Sequence, residues 1–98
     1  MIQRLVKMTF QTEQTDTFLA NFEQVKDRIR QFEGCSYLKL LRDKNQPNVL
    51  FTYSYWENES NLDAYRYSDY FKNVWSKTKI LFDDAPQAWS VDKRETLN

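Results

Sequence analysis

The chain has 98 residues, 14 basic and 14 acidic side chains that cancel, no histidine and a single cysteine. That length predicts one domain over residues 1–98, burying roughly two-thirds of its unfolded surface; the neutral, interspersed charge excludes the basic footprint of nucleic-acid or anionic-membrane binding. The lack of histidine removes the usual general base and the usual haem or zinc ligand, and Cys35 alone can form no disulfide within the chain.

The opening stretch Ile2–Phe10 predicts a strand. Ile2, Val6, Met8 and Phe10 fall on one face with Arg4 in the same row; Gln3, Leu5, Lys7 and Thr9 fall on the other. The stretch contains no apolar run of the kind a secretory leader needs, and no segment approaches the roughly 18–20 apolar residues of a membrane span. A cytoplasmic protein with no membrane partner is the expectation. Gln11–Gln14 reads as a polar turn. A helix follows from about Asp16 to Phe32, with the stripe Phe18, Phe22, Val25, Ile29 and Phe32 at helical spacing, Thr15 as N-cap and Gly34, the only glycine, as the stop signal.

Cys35–Arg42 predicts a second strand, with Ser36, Leu38, Leu40 and Arg42 on one face and Cys35, Tyr37, Lys39 and Leu41 on the other. Asp43–Asn48 is a turn, and Val49–Trp56, dense in β-branched and aromatic residues, is a third strand that closes a hairpin. Asn58 caps a short helix through about Tyr67. Ser68 caps the next, with the stripe Phe71, Val74, Trp75, Thr78, Leu81 and Phe82. Gln87–Lys93 reads as the last strand, with Trp89 and Val91 on one face. Residues 2–93 form the expected ordered core and Arg94–Asn98 a polar tail.

The order β-α-β-β-α-α-β predicts an α+β, ferredoxin-like fold: a four-stranded antiparallel sheet with helices on one face. Leu5, Tyr37, Leu41 and alternate residues of Val49–Trp56 make the helix-free face apolar, so two copies are expected to meet through it as a homodimer. The other reading is a monomer with a half-wetted sheet.

The segment Phe51–Trp75 carries five tyrosines, two tryptophans and two phenylalanines. Tyr65, Tyr70, Phe71 and Trp75 from the helices, and Tyr53, Tyr55 and Trp56 from the strand, are candidates for the wall of an aromatic pocket; core packing is the competing role. Cys35 reads as a small buried residue, since no histidine is present to activate it. Asp83–Asp84 reads as a solvated helix end. Arg4 and Lys7 lie on opposite faces of the first strand, so only one of them can address a cavity under the helices.

The strand-end Tyr-Trp-Glu at 55–57, followed by Asn-Leu-Asp-Ala-Tyr at 61–65 and set within IQRLVKMTF, FLANFEQVKDRIRQFEGC and LDAYRYSDYFKNVWSKTKILF, resembles the antibiotic biosynthesis monooxygenase family over about residues 2–92. The resemblance implies a dimeric α/β barrel of two ferredoxin-like sheets, with a ligand cavity in each subunit between the sheet and the two-helix segment. It also implies cofactor-free oxygenation of aromatic polyketides or quinols; similar folds serve haem-degrading enzymes and small-molecule isomerases. Where many members carry histidines this chain has Tyr65 and Tyr70. Where haem-degrading relatives place a proximal histidine and a first-strand asparagine it has Trp75 and Val6. No haem, zinc or other cofactor is therefore expected. Two functional readings follow: a cofactor-independent monooxygenase of a small phenol- or quinol-like substrate, and a non-catalytic protein that binds a small aromatic or lipophilic ligand. An isomerase would need a proton shuttle, for which only tyrosines are available.

Overall fold

The computed structural model describes residues 1–98. Its elements are β1 (Ile2–Thr9), a 3-10 turn (Thr12–Gln14), α1 (Thr15–Arg30), β2 (Cys35–Arg42), β3 (Val49–Trp56), α2 (Glu59–Arg66), α3 (Asp69–Lys79) and β4 (Gln87–Val91). The four strands form one antiparallel sheet in the order β2-β3-β1-β4, the ferredoxin-like arrangement that the element order predicts. No helix is long and apolar enough to cross a membrane.

Two local expectations are corrected. Thr15 is not the cap of α1. The 3-10 turn runs straight into the helix, so Thr15 is the first helical residue, buried, with its Oγ1 donating to the Gln11 carbonyl at 3.4 Å. Cys35 does not share a face with Tyr37. The β2–β3 register shifts between these two residues, a bulge that seats one extra residue, Ser36, and turns Cys35 toward the helices. There it packs with Trp56 and Leu62.

The strand pairing decides which face each residue serves. Ile2, Arg4, Val6 and Met8 lie beside Trp56, Ser54, Thr52 and Leu50; these eight face the helices. Gln3, Leu5 and Lys7 lie beside Tyr55, Tyr53 and Phe51 on the opposite face. Buried side chains gather in two separate clusters under the helices. Met8, Phe10, Phe18, Leu50 and Leu81 form one, and Cys35, Trp56 and Leu62 form the other. Thr52 and Ser54 lie between them on β3, where short side chains cannot fill the gap.

Capping sets the helix directions. Asn58 accepts from the Asn61 amide at 2.9 Å at the start of α2, and Ser68 accepts from the Phe71 amide at 3.1 Å at the start of α3. The Ser68 hydroxyl also donates to the Tyr65 carbonyl at 2.6 Å, which ties the end of α2 to the start of α3. After α3 the chain returns to β1: the Gln11 amide donates to Leu81 and the Asp83 amide to Thr9, each at 2.9 Å.

Gly34 takes φ +86° between α1 and β2, and a Cβ placed there would lie 2.4 Å from Cγ of Asn61. Its carbonyl accepts from the Glu57 amide at 2.8 Å, so this backbone position cannot drift. Gly34→Ala is predicted to lower unfolding stability by about 1–3 kcal/mol through left-handed strain and the clash with α2. Urea denaturation of Gly34→Ala and of Gly34→Ala with Asn61→Ala checks this. The double variant should recover part of the loss, and a Gly34→Ala protein as stable as the parent would contradict the assignment.

Candidate functional site

The gap between the two core clusters is a cavity of about 310 Å³. Its floor is the helix side of the sheet: Arg4, Val6 and Met8 of β1, Leu38 of β2, Thr52, Ser54 and Trp56 of β3, and Pro86 and Ala88 beside or on β4. Its roof comes from all three helices, through Phe18, Phe22 and Ile29 of α1, Leu62, Tyr65 and Arg66 of α2, and Phe71, Val74, Trp75 and Thr78 of α3. Side-chain size explains the cavity. Along the helix side of β3 the residues read Leu50, Thr52, Ser54, Trp56, bulky at the ends and short in the middle. The helix side of β4 adds only Ala88 and Ser90.

Of the sequence-predicted wall residues, Trp56, Tyr65, Phe71 and Trp75 come together here. Their rings form a continuous series. Tyr65 stacks on Trp56 with centroids 5.0 Å apart and meets Phe71 edge-on at 5.1 Å; Phe71 stacks on Trp75 at 5.8 Å. The Ser68 double contact sustains this series, because it holds the helix that carries Tyr65 against the one that carries Phe71.

Tyr53, Tyr55 and Tyr70 are placed elsewhere. Strand alternation puts Tyr53 and Tyr55 on the helix-free face, where Tyr55 stacks on Tyr37 at 4.6 Å and the Tyr53 hydroxyl donates to Gln3 Oε1. With Trp56 committed to the cavity, its immediate neighbour Tyr55 must face away. Tyr70 leans on α1: its hydroxyl reaches the Val25 carbonyl at 3.5 Å, its ring lies 5.9 Å from Phe32, and the Arg28 guanidinium sits 4.9 Å over it.

The polar equipment of the cavity is small. Ser54 Oγ accepts from Trp56 Nε1 at 2.9 Å, which orients the indole. Thr78 is turned back onto its own helix, its hydroxyl donating to the Val74 carbonyl. Arg4 donates to Ser90 Oγ at 2.9 Å. Burial, then the charge of Arg66, push the Arg4 pKa down, while Asp63 opposes this. Tyr65 is the acid most altered by its surroundings. Burial, and to a lesser extent Tyr70 and Cys35, push its phenol well above the ordinary tyrosine range, so the hydroxyl stays a proton donor at neutral pH. No histidine, carboxylate or cysteine lines the cavity, and no group of three or more metal-ligating His, Cys, Asp or Glu side chains converges anywhere.

Arg66 was not a candidate on sequence grounds. It ends a short helix between Tyr65 and Tyr67, and only the helix's placement against β3, the strand paired with β1, brings it to the same cavity as Arg4. A basic residue in the last turn of a helix is ordinarily read as a partner of the helix dipole.

The family model for antibiotic biosynthesis monooxygenases matches residues 1–75. Among solved structures, the chain is similar to an antibiotic biosynthesis monooxygenase (TM-score 0.90, 16% identity, 97% of this chain and 100% of that one). It is also similar to a conserved protein from Methanosarcina mazei Go1 (TM-score 0.89, 20% identity, 95% and 92% of the two chains). A third is a protein of Deinococcus radiodurans described as a candidate antibiotic biosynthesis monooxygenase (TM-score 0.89, 15% identity, 100% and 97%). At these identities the likeness establishes the fold. No curated protein matches the chain.

The raised Tyr65 pKa carries a prediction for alkaline stability. An unfolded tyrosine ionises near pH 10, whereas folded Tyr65 holds its proton to higher pH. Its contribution is therefore intact below about pH 10 and is lost as pH rises through the folded value. Urea unfolding at about pH 9 and about pH 11 should show a smaller alkaline loss for Tyr65→Phe than for the parent. Identical losses would mean that the Tyr65 hydroxyl is not held in a desolvated place.

Proposed function

Given that the chain belongs to the antibiotic biosynthesis monooxygenase family, we propose that it binds a small aromatic substrate in the cavity between sheet and helices and oxygenates it without a cofactor. The observation that carries this reading is the ring series Trp56, Tyr65, Phe71 and Trp75 along one side of a 310 Å³ cavity. Aromatic rings prefer offset and edge-to-face neighbours, and this wall offers both to a flat guest.

The chemistry can be assigned without an added electron source. A phenol- or anthrone-like CH2 flanked by aromatic rings loses a proton to give a delocalised carbanion. The carbanion combines with O2 to give a peroxide anion; this takes up a proton, and the hydroperoxide so formed loses water to leave a carbonyl. One oxygen atom stays in the product, the other leaves as water, and all four electrons come from the substrate. In this scheme the chain's tasks are to hold the ring, exclude water and stabilise the anion. The Tyr65 hydroxyl, kept protonated, can donate to the developing oxyanion, and the Arg4 charge favours the deprotonated form. With no side-chain base in the lining, the proton is released to solvent. The same absence favours, as a second reading, a protein that binds the aromatic ligand and leaves it unchanged.

Oxygen uptake with anthrone and a panel of quinols separates the two readings. The oxygenase reading predicts uptake with formation of the carbonyl product, and incorporation of one atom from isotopically labelled O2. Thr52→Ile, which fills the floor of the cavity, should reduce both binding and uptake at least tenfold and cost less than about 1 kcal/mol of stability. Binding of these compounds with no uptake by the parent would leave only the binding reading.

The helix-free face supports a homodimer as part of the same proposal. Leu5, Phe51, Tyr53 and Tyr55 lie on it, together with the exposed Leu41, Trp89 and Val91. Continuous apolar surface of this kind is costly in water and is covered by an identical face across a two-fold axis. The lone buried thiol of Cys35 is in keeping with a reducing, cytoplasmic setting. Sedimentation equilibrium at micromolar concentration should give twice the chain mass, and Tyr55→Arg should give a folded monomer. A monomeric parent would contradict this part.

A further inference from the structure

The cavity wall is mostly apolar, yet two guanidinium groups, those of Arg4 and Arg66, line it. Neither has a carboxylate partner. The chain's one ion pair joins Lys26 to Glu23 within α1. Arg4 stands in a central position on β1, half-buried, with a hydrogen-bonded strand on each side. Its neighbours across those strands are Ser54 and Ser90, both small and neutral. A single bond to the Ser90 hydroxyl occupies part of its donor fork, and the remainder faces the cavity. Arg66 is the last residue of α2 and is exposed, at the rim of the same cavity.

A structural role accounts for Arg66 alone, since a cation suits a helix C-terminus. It does not account for Arg4. A half-buried arginine is ordinarily paired with an acid; here Asp63 acts on it only from beyond ion-pair distance, and its nearer surroundings supply two serines and a second cation. The charge of Arg66 works against that of Arg4, and an anion between the two guanidinium groups would offset that cost.

We infer that Arg4 and Arg66 form an anion subsite of this cavity, which takes the carboxylate of an aromatic acid whose ring lies against Trp56, Tyr65 and Trp75. The inference rests on the proposed reading of the cavity as an aromatic-ligand site and narrows the ligand to acids. Two planar forks match the two oxygens of a carboxylate. Asp63, whose charge is felt at Arg4, disfavours a doubly charged group such as a phosphate monoester. The wall supplies no other cation, so the acid end lies at the Arg66 rim with the ring inward.

Calorimetric titration with 2-naphthoate and with neutral 2-naphthamide, which has nearly the same shape, tests the subsite. The parent should bind the acid at least about tenfold more tightly than the amide. Arg66→Gln and Arg4→Gln should each weaken the acid about five- to tenfold and leave amide binding unchanged. Arg66 is exposed, so its variant folds even if the Arg4 variant does not, and amide binding reports an intact cavity in each. Equal affinity for acid and amide in the parent overturns the subsite and leaves the aromatic cavity standing. Acid preference undiminished in the folded variants also overturns it, since another cation then holds the carboxylate. Failure of both probes to bind overturns the cavity reading, and the inference with it.

Discussion

The period-two alternation of β3 is the constraint on which the rest of the structure depends. Val49–Trp56 holds more aromatic mass than one face could pack, and the pleat divides it. Leu50, Thr52, Ser54 and Trp56 go to the helices; Phe51, Tyr53 and Tyr55 go to the other side. The first set has large side chains only at its ends. The helices can therefore close down at Leu50 and at Trp56, forming two core clusters, but cannot close at Thr52 and Ser54. The cavity is the space left over. The second set makes the far face adhesive. One strand thus produces both the enclosed site and the apolar exterior, and shifting its register by one residue would exchange them.

Helix placement converts that space into an aromatic site. Gly34 admits α2 closer to the sheet than any side chain at that position would permit, and Asn61 fills the approach. Ser68 then serves two helices with one hydroxyl, so Tyr65 and Phe71 sit at a defined angle and distance. Trp56, oriented by Ser54, completes the contact from the strand side. Each of these residues is small or polar, and each acts by positioning a larger neighbour. The energetic consequence is visible in Tyr65, whose phenol resists ionisation because its ring is enclosed.

Much of this was legible in the amino-acid sequence because it depends on local periodicity. The stripe of α1, the caps Asn58 and Ser68, the stop at Gly34 and the alternation of β1 are signals within a few residues of one another, and the element order follows from them. Trp56, Tyr65, Phe71 and Trp75 could be proposed as a wall for the same reason. Two features depend on contacts distant in sequence and were not legible, whereas a third needed only the assignment of one strand face. The bulge at Ser36, which moves Cys35 under the helices, is a property of strand pairing and leaves no composition signal. Tyr53 and Tyr55 share an aromatic strand with Trp56, but alternation sends them to the opposite face once Trp56 is assigned to the helices. Arg66 reaches the cavity that Arg4 lines only because α2 packs against β3 beside β1, a juxtaposition across sixty-two positions of chain (66 minus 4).

The three tryptophans provide the most direct test of the central claim, that the ligand site lies between sheet and helices. Trp56 and Trp75 line the cavity, whereas Trp89 stands exposed on the helix-free face. In a nitrogen-15 labelled sample each contributes one indole N–H resonance. During titration with an aromatic acid, the Trp56 and Trp75 resonances should shift together and saturate, with that of Trp89 unmoved. A saturable shift confined to Trp89, with Trp56 and Trp75 unchanged, would place the ligand on the opposite side of the sheet and contradict the account.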